Sequence, residues 1–218
     1  MTQVVIICIY LVLLIGLGIF SRKFFRGGAA DFFVASRSIG PFVLFMSVFG
    51  TTMTAFAMVG STGEAFHVGV ATFGKIASSS ALIHSAVFFF IGLRLWSLGK
   101  RNGYMTQIEL FRDRFESNGL GYLLFPILVG LIIPYLLVGL MGAGSVVGGV
   151  TRGAFPEAFA STGGAIPPWL TSLVICGVVL SYIFMGGVRS AAWANTFQTI
   201  IFMIMGVLAF VLISSKLG

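Results

Sequence analysis

Hydroxyl-bearing and small residues interrupt the middle of an uncharged stretch, residues 40–63, which is long enough to cross a bilayer. They stand where a simple membrane anchor would have leucine or valine: Ser47, Gly50, Thr51, Thr52 and Thr54. Such residues let a helix open, because other groups can satisfy the freed backbone, and discontinuous helices form ion and substrate sites near the membrane centre. A continuous helix that uses the same residues for close packing against its neighbours explains the pattern equally well.

A histidine and three serines form a second group of candidates, in the next apolar run. His84 is the only ionisable side chain well inside an apolar run, and an ionisable residue within a membrane is a functional candidate. A neutral histidine that bonds to a neighbouring helix is the simpler alternative. Ser78, Ser79 and Ser80 precede it and either line a cavity or form a helix-packing face.

The sequence contains no recognised catalytic pattern. A Walker loop, H-E-x-x-H, G-x-S-x-G and metal-spaced clusters of cysteine and histidine are all absent. The six acidic residues lie mostly in loops, so we expect no pair of carboxylates within the apolar runs for acid–base chemistry. Cys8 and Cys176 lie inside apolar runs and resemble small hydrophobic residues. We therefore expect a protein that is not an enzyme and has no catalytic residue.

Composition identifies the elements that must position these candidates. Hydrophobic residues make up 58% of the 218 residues and charged residues 9%, whereas about 25% charged is usual for a globular domain. This predicts an all-α polytopic membrane protein in contact with the lipid bilayer. The net charge of +7 would suggest nucleic-acid binding in a soluble protein. Here the charges lie between apolar runs and mark membrane topology, so we expect no nucleic-acid partner.

Six apolar runs predict about six transmembrane helices in a single transmembrane domain, residues 1–218. A leader span at residues 3–20 is retained, since it lacks the preceding positive charge and the cleavage site of a signal peptide. Core spans one to five follow at residues 41–62, 76–96, 119–151, 167–187 and 193–214. Between spans two and three, residues 97–118 mix charged and apolar side chains, which predicts a short amphipathic helix at the membrane surface. A polar corner, residues 186–190, separates spans four and five.

Positive charges divide unevenly between the two sides of this arrangement. One side has ten of them: Arg22, Lys23, Arg26, Arg37, Arg94, Lys100, Arg101, Arg112, Arg114 and Arg189. The other side has three: Lys75, Arg152 and Lys216. The positive-inside rule therefore places both termini outside and residues 97–118 in the cytoplasm. This is the expected topology of a multi-pass plasma-membrane protein, or of an inner-membrane protein in a bacterium.

Three segments resemble motifs of the sodium/solute symporter family. Residues 31–41 are similar to the segment before its first core helix, and residues 106–115 look like its cytoplasmic Thr-x-Pro-Glu element without the proline. Residues 186–198 resemble its Gly-Gly-x-x-Ala-Val-x-Trp-Thr-Asp-x-x-Gln motif. The motif positions are Arg37, Ser38, Gly186, Gly187, Trp193, Asn195 and Gln198. The three matches follow the family's order and spacing, and the resemblance extends over residues 30–214 or so.

The resemblance implies the five-plus-five inverted-repeat (leucine-transporter-like) fold, in which the leader and spans one to five precede a second repeat. In that fold a sodium ion lies between the opened middle of span one and the eighth core helix. The implied sodium ligands are the carbonyls of Gly50 and Met53 and the hydroxyls of Thr52 and Thr54. Oxygen ligands of this kind suit a hard cation. A small-molecule solute would bind beside the ion, and the implied residues are Thr51, Ser78, Ser80 and His84.

Two departures from the family pattern alter these expectations. Asn195 stands where the motif has aspartate, which removes a carboxylate that could assist sodium on the inner side. The 218 residues also contain no counterpart of the eighth core helix. We therefore expect the N-terminal half, or a fragment, of a sodium-coupled symporter whose second repeat is missing. Two alternatives stay open: a non-transporting membrane subunit or scaffold with only the first repeat, and a proton-coupled relative that uses His84.

Overall fold

The structure, a computed structural model, describes residues 2–54, 56–76 and 82–217. Within these ranges all regular secondary structure is helical, which confirms the all-α prediction. The described residues form two compact units. The first combines the chain up to Thr54 with the chain from Ala143 onward, and the second comprises the residues between them.

The first unit begins with three helices: α1 (Thr2–Arg22), α2 (Ala29–Val34) and α3 (Pro41–Thr52). α1 is an almost continuous apolar run that extends for about 31 Å, so it is long enough to be the predicted leader span. Gly27 and Gly28, both with positive φ, separate α1 from α2. A 3-10 turn at Ala35–Arg37 follows α2, and this segment makes an angle of 107° with α3.

The second unit contains short helical elements. Its helices are α4 (Ser61–Val68), α5 (Ala71–Ile76), α6 (His84–Val87), α7 (Leu93–Asn102) and α8 (Gln107–Arg114), with π-helical turns at Phe56–Gly60 and Phe88–Gly92. A capping box begins α8, because the amide of Glu109 donates to the Thr106 hydroxyl and the Glu109 carboxylate accepts the Thr106 amide. α8 is the short charged helix predicted within residues 97–118. α7 precedes it, and the residue that caps the C-terminal end of α7, Gly103, has a left-handed conformation.

Two long helices, α9 (Asn118–Val150) and α10 (Pro168–Leu217), complete the described chain. α10 has 50 residues and would extend for about 75 Å, more than twice the roughly 30 Å thickness of a hydrocarbon core. Its backbone leaves the helical conformation at Gly186 and Gly187. This break divides α10 into two segments and lies within the corner predicted between spans four and five.

The number of spans differs from the sequence prediction of about six. In the described ranges three helices are long and apolar enough to cross a membrane: Thr2–Arg22, Asn118–Val150 and Pro168–Lys216. The bent pair Ala29–Arg37 and Pro41–Thr52 raises this number to four if it forms one span. The difference arises because span one is interrupted after Thr52, span two lies partly outside the described residues, and spans four and five form one helix with a break.

α1 lies along α10, and this contact forms the core of the first unit. The residues buried together are Leu14, Val178, Tyr182 and Ala194. Gly18 permits the close approach, because a Cβ at residue 18 would overlap the side chain of Tyr182. Further along, the rings of Tyr10 and Phe197 stack with their centroids 6.4 Å apart. The leader helix is therefore an integral part of the unit.

The corner within α10 is shorter than the predicted residues 186–190. Only Gly186 and Gly187 are non-helical. Arg189 and Ser190 are helical and buried, because Arg189 forms an ion pair with Asp31 and Ser190 hydrogen-bonds to Ser21. Polar residues that the sequence pattern placed in a corner between two spans thus form tertiary contacts.

Candidate functional site

α3 ends within the uncharged stretch of residues 40–63. Its 12 residues extend for about 18 Å, whereas a hydrocarbon core is about 30 Å thick. Met53 has φ −85° and ψ 77°, and neither Met53 nor Thr54 is helical. Of the two interpretations of this stretch, the structure supports a discontinuous helix after Thr52.

Backbone and hydroxyl oxygens are concentrated at the end of α3. The Gly50 carbonyl accepts the Met53 amide at 3.2 Å, and the Thr52 carbonyl accepts the Thr54 amide at 3.1 Å. The Thr52 hydroxyl donates to the Phe49 carbonyl at 2.7 Å, which leaves hydroxyl lone pairs that can serve as ligands. The four predicted sodium ligands thus lie within residues 50–54 at the end of α3, where Met53 and Thr54 leave the helical conformation.

Gly50 itself lies within the helical part of α3 and faces α10. A Cβ at residue 50 would overlap the Thr199 hydroxyl and would lie 3.1 Å from the Asn195 carbonyl oxygen. Close helix packing, the alternative interpretation of the stretch, therefore applies to Gly50. The irregular backbone begins three residues later, at Met53.

Asn195 and Thr199, one turn apart on α10, hydrogen-bond to α3. The Thr199 hydroxyl donates to the Met46 carbonyl at 3.0 Å. Asn195 Nδ2 donates to Thr51 Oγ1 at 3.1 Å and to Ser47 Oγ at 3.4 Å. The Thr51 hydroxyl donates its own proton to the Ser47 carbonyl at 2.8 Å. Its oxygen can therefore only accept a hydrogen bond from residue 195, which must provide the donor. An amide supplies that donor, whereas the aspartate of the family motif would not.

A buried ion pair joins α2 to α10 beside the predicted motif position Ser38. Arg189 Nη2 lies 2.7 Å from Asp31 Oδ1, and the two side chains are 11% and 0% exposed. The same Nη2 donates to the Ala35 carbonyl and to the Ser38 hydroxyl oxygen, both at 3.0 Å. Arg189 therefore fixes both ends of the 3-10 turn that separates α2 from α3.

Asp31 is held in its charged form by this environment. Burial by itself would raise the pKa of the Asp31 carboxyl. The Arg26 amide, the Arg189 guanidinium and the Ser36 hydroxyl donate to the carboxylate and outweigh burial, so the pKa falls from 3.8 to about 2. The carboxylate is consequently ionised at any physiological pH.

The turn at Ala35–Arg37 has an unusual backbone. Ala35, Ser36 and Arg37 have φ values of 50°, 49° and 53°, a left-handed conformation that residues with a Cβ rarely adopt. Such a turn persists only where surrounding contacts impose it. Here the bonds of Arg189 and Asp31 to the turn provide those contacts, and they set the position of Arg37, the first predicted motif residue.

The remaining motif residues lie along α10. Gly187 has φ 56°, and a Cβ there would overlap the Phe32 carbonyl oxygen, so glycine is required where α10 meets α2. Trp193 is partly exposed. The motif of residues 186–198 therefore forms contacts with α1, α2 and α3 within the first unit.

Only two of the predicted solute-binding residues can be placed. Thr51 belongs to the first unit, and His84 begins α6 in the second unit with an exposed side chain. Ser78 and Ser80, like Ser79, lie outside the described residues. The proposed grouping of these residues around a solute stays a prediction.

Sequence reasoning did not select Asp31, Arg189 or Thr199 as site residues. Arg189 entered only as a charge that marks topology. Its position between two apolar spans was a weak signal that Arg189 is buried. A buried charge requires a partner. That partner lies 158 residues away and could not be identified from spacing. In the described part of the chain no three His, Cys, Asp or Glu side chains cluster as they would around a bound metal ion.

Comparison with known proteins gives consistent matches. Residues 32–218 match the profile of the Sodium:solute symporter family (SSF). The chain is 24% identical over 194 residues to the uncharacterized symporter YhjB of Bacillus subtilis, a match that covers 89% of this chain. It is 26% and 23% identical over 201 residues to sodium/proline symporter 2 of Staphylococcus saprophyticus and the sodium/proline symporter of Staphylococcus aureus, with 92% of this chain covered. The chain spans 37% of the length of each of these relatives. No solved structure matches it.

Proposed function

Because the chain belongs to the sodium:solute symporter family, we propose that it takes part in sodium-coupled symport of a small organic solute. Family membership indicates a membrane-embedded transporter rather than an enzyme. Two relatives are sodium/proline symporters, so proline is the first solute to test. We further propose a plasma-membrane location with the N-terminus outside, on the basis of the ten-to-three distribution of Lys and Arg.

The observation that carries the proposal is the end of α3 in the middle of an uncharged, membrane-length stretch. We propose that the carbonyls of Gly50 and Met53 and the hydroxyls of Thr52 and Thr54 contribute sodium ligands there. Irregular backbone inside a membrane is tolerated where it lines a cavity or is buried in protein, and it supplies oxygen ligands that sodium prefers. In the described ranges no observation favours the scaffold or the proton-coupled alternative.

A single sodium ion is sufficient to drive strong accumulation of a neutral solute. A membrane potential of ~100 mV contributes about 2.3 kcal/mol per sodium ion. A tenfold sodium gradient adds roughly 1.4 kcal/mol. The sum of about 3.7 kcal/mol corresponds to an accumulation of roughly 500-fold, so one ion site at the end of α3 would suffice.

Uptake measurements test the coupling. Membrane vesicles from cells that express the chain as part of its full-length transporter are given radiolabelled proline with an inward sodium gradient, and potassium replaces sodium in the control. We expect sodium to increase the initial rate several-fold and an inside-negative potential to increase it further. Equal rates in sodium and potassium would contradict sodium coupling. Stimulation by an inward proton gradient instead would support the His84 alternative.

The variant Thr54→Val tests the position of the ion site, since it keeps the shape of the side chain and removes an oxygen. We expect the sodium concentration for half-maximal uptake to rise on the order of tenfold, equivalent to ~1.4 kcal/mol. The apparent affinity for proline at saturating sodium should change far less. Thr171→Val is the matched control, because the buried Thr171 hydroxyl has no partner in the described ranges. Equal sodium dependence in both variants would mean that Thr54 contributes no ligand.

A further inference from the structure

The turn between α2 and α3 is a point of the first unit where the backbone is held away from its preferred conformation. Ala35, Ser36 and Arg37 are consecutive residues with a Cβ, and all three have φ between 49° and 53°. For such residues the left-handed conformation is less stable than the right-handed or extended one, because the Cβ comes too close to the backbone. Without its tertiary contacts the turn would therefore relax to one of those conformations.

The side-chain bonds that hold the turn share their acceptors with Arg189. The Ser36 hydroxyl donates to Asp31 Oδ1 at 2.8 Å, and the Ser38 hydroxyl donates to the Ala35 carbonyl at 2.8 Å. Arg189 Nη2 donates to the same carboxylate oxygen and to the same carbonyl. Separation of Arg189 from Asp31 therefore weakens the contacts at both ends of the turn together.

The break in α10 lies against the same segment. Gly187 has φ 56°, and a Cβ there would overlap the Phe32 carbonyl oxygen, so α10 approaches α2 closely at its break. Arg189 follows the break by two residues and bonds to the turn. Hinges in proteins are formed by a few loop or element-terminal residues that absorb changes in φ and ψ. Here two such segments meet, and one buried ion pair joins them.

We propose that the Arg189–Asp31 pair is a latch on a hinge at residues 35–40. While the latch is closed, the turn is left-handed and α3 makes an angle of 107° with the segment before it. When the latch opens, the turn relaxes and α3 changes its direction relative to α2. α3 carries the candidate ion ligands about 18 Å away at its other end, so the same helix joins both. The role of this movement in transport rests on the proposed function, whereas the latch itself does not.

Limited digestion with trypsin tests the latch, because the exposed Arg37 places a cleavage site within the turn. A protease cleaves such a site only when the surrounding chain opens locally, so the rate reports the open population. The chain is purified as part of its full-length transporter in detergent micelles, and mass spectrometry quantifies cleavage after Arg37. Cleavage after Arg152, in the exposed turn that follows α9, is the reference within the same unit.

Two variants weaken the latch to different degrees. Ser38→Ala removes one acceptor of Arg189, and Asp31→Asn removes its counter-charge. Loss of an ordinary hydrogen bond changes an equilibrium about fivefold, so we expect Ser38→Ala to increase cleavage after Arg37 by about that factor relative to Arg152. Asp31→Asn should increase the same ratio more than about tenfold.

Ser215→Ala is the matched control for these variants. It removes a hydroxyl that donates to the Leu212 carbonyl at 2.9 Å, near the end of α10 and outside the latch. We expect it to leave the ratio of cleavage after Arg37 to cleavage after Arg152 unchanged. A ratio that is no higher in the two latch variants than in Ser215→Ala would overturn the proposal.

A pair of variants at residue 36 reports the conformation of the turn itself. Ser36→Gly and Ser36→Ala lose the same hydroxyl and differ only in the Cβ. Because glycine adopts the left-handed conformation without penalty, we expect cleavage after Arg37 to be about fivefold slower in Ser36→Gly. When Asp31→Asn is added to both, the turn is relaxed, and the difference should disappear or reverse because glycine is then only the more flexible residue.

The residue 36 variants also decide the outcome if Asp31→Asn unfolds the whole unit. Equal cleavage of Ser36→Gly and Ser36→Ala in the otherwise wild-type protein would contradict a left-handed turn that is held under strain. A difference that persists unchanged in the Asp31→Asn background would show that the turn keeps its conformation without the latch, which also contradicts the proposal. None of these measurements involves uptake, so a failure of the latch is distinguished from a failure of sodium coupling.

Discussion

α10 contacts the segment that contains α2 and α3 in two places, and the chemistry of the two contacts differs. Beside the break in α10, the charged side chains of Arg189 and Asp31 pair within a set of backbone and hydroxyl partners. Six to ten residues further along α10, Asn195 and Thr199 bond to α3 through neutral groups only. These positions lie about 9–15 Å farther along the helix axis.

We attribute the difference to the depth that the predicted topology gives each contact in the membrane. A charged residue near the bilayer centre costs at least about 2.5–3.5 kcal/mol, whereas neutral hydrogen bonds between membrane helices contribute about 0.6 kcal/mol on average. Close to the connector of residues 23–40, a charge pair has backbone amides and polar side chains to complete its bonding. Deeper along α10, a neutral amide and hydroxyl hold the helices together without an uncompensated charge. We therefore expect the charged contact to dominate stability.

The largest effect should come from Asp31→Asn, which leaves the buried Arg189 without a counter-charge. Removal of one partner from a buried pair typically costs about 3–5 kcal/mol of unfolding free energy. Unfolding of the chain in mixed micelles measures this loss. The matched control is Glu64→Gln, which breaks the exposed pair with Lys75 and should cost about 1 kcal/mol or less. Similar losses in the two variants would contradict the dominance of the buried pair.

The same contact predicts a dependence on pH. The pKa of Asp31 is about 2 in the folded chain, below the ordinary value of 3.8, so the folded state favours the carboxylate. The stabilisation is therefore fully present above pH ~4 and is lost as the pH falls from there toward 2. Asp31→Asn should remove this part of the acid-induced decrease in the unfolding midpoint. An unchanged acid profile in Asp31→Asn would show that other carboxyl groups cause the decrease.

A smaller effect is expected from Gly50→Ala at the neutral contact. The added Cβ overlaps the Thr199 hydroxyl, and overpacking of this kind typically costs about 1–3 kcal/mol. Thr199→Ala removes the overlapping atom, so the double variant should recover part of the loss. Unfolding free energies of the two single variants and the double variant give the coupling between the residues. Strictly additive losses would place Gly50 away from Thr199.

The smallest effect is expected from Asn195→Leu, which removes two neutral hydrogen bonds worth about 0.6 kcal/mol each. Asn195→Asp should destabilise the chain more, because a carboxylate has no proton for the Thr51 and Ser47 hydroxyl oxygens and adds a charge inside the membrane. Unfolding of both variants, each with and without sodium, measures the difference. If Asn195→Asp and Asn195→Leu lose the same unfolding free energy in the absence of sodium, the depth in the membrane does not determine the chemistry of this contact.

The sequence by itself determined the membrane class and predicted a corner within residues 186–190, and it offered an interruption of span one as one of two equal interpretations. These features depend on local properties: uncharged stretches of membrane length, residues that allow a helix to open, and glycines that adopt non-helical backbone angles. The motif resemblance indicated the family because it also depends only on residue order.

Only the tertiary structure decided which of these residues touch. We expected Gly50 to belong to an opened part of the helix, but it lies where α3 packs against α10. Arg189 was counted only as a charge that marks topology, but it is buried and forms an ion pair with Asp31, 158 residues earlier. Pairs so far apart leave no periodic signal in the sequence. Their identity depends on how α10 lies against α1, α2 and α3, which local composition does not specify.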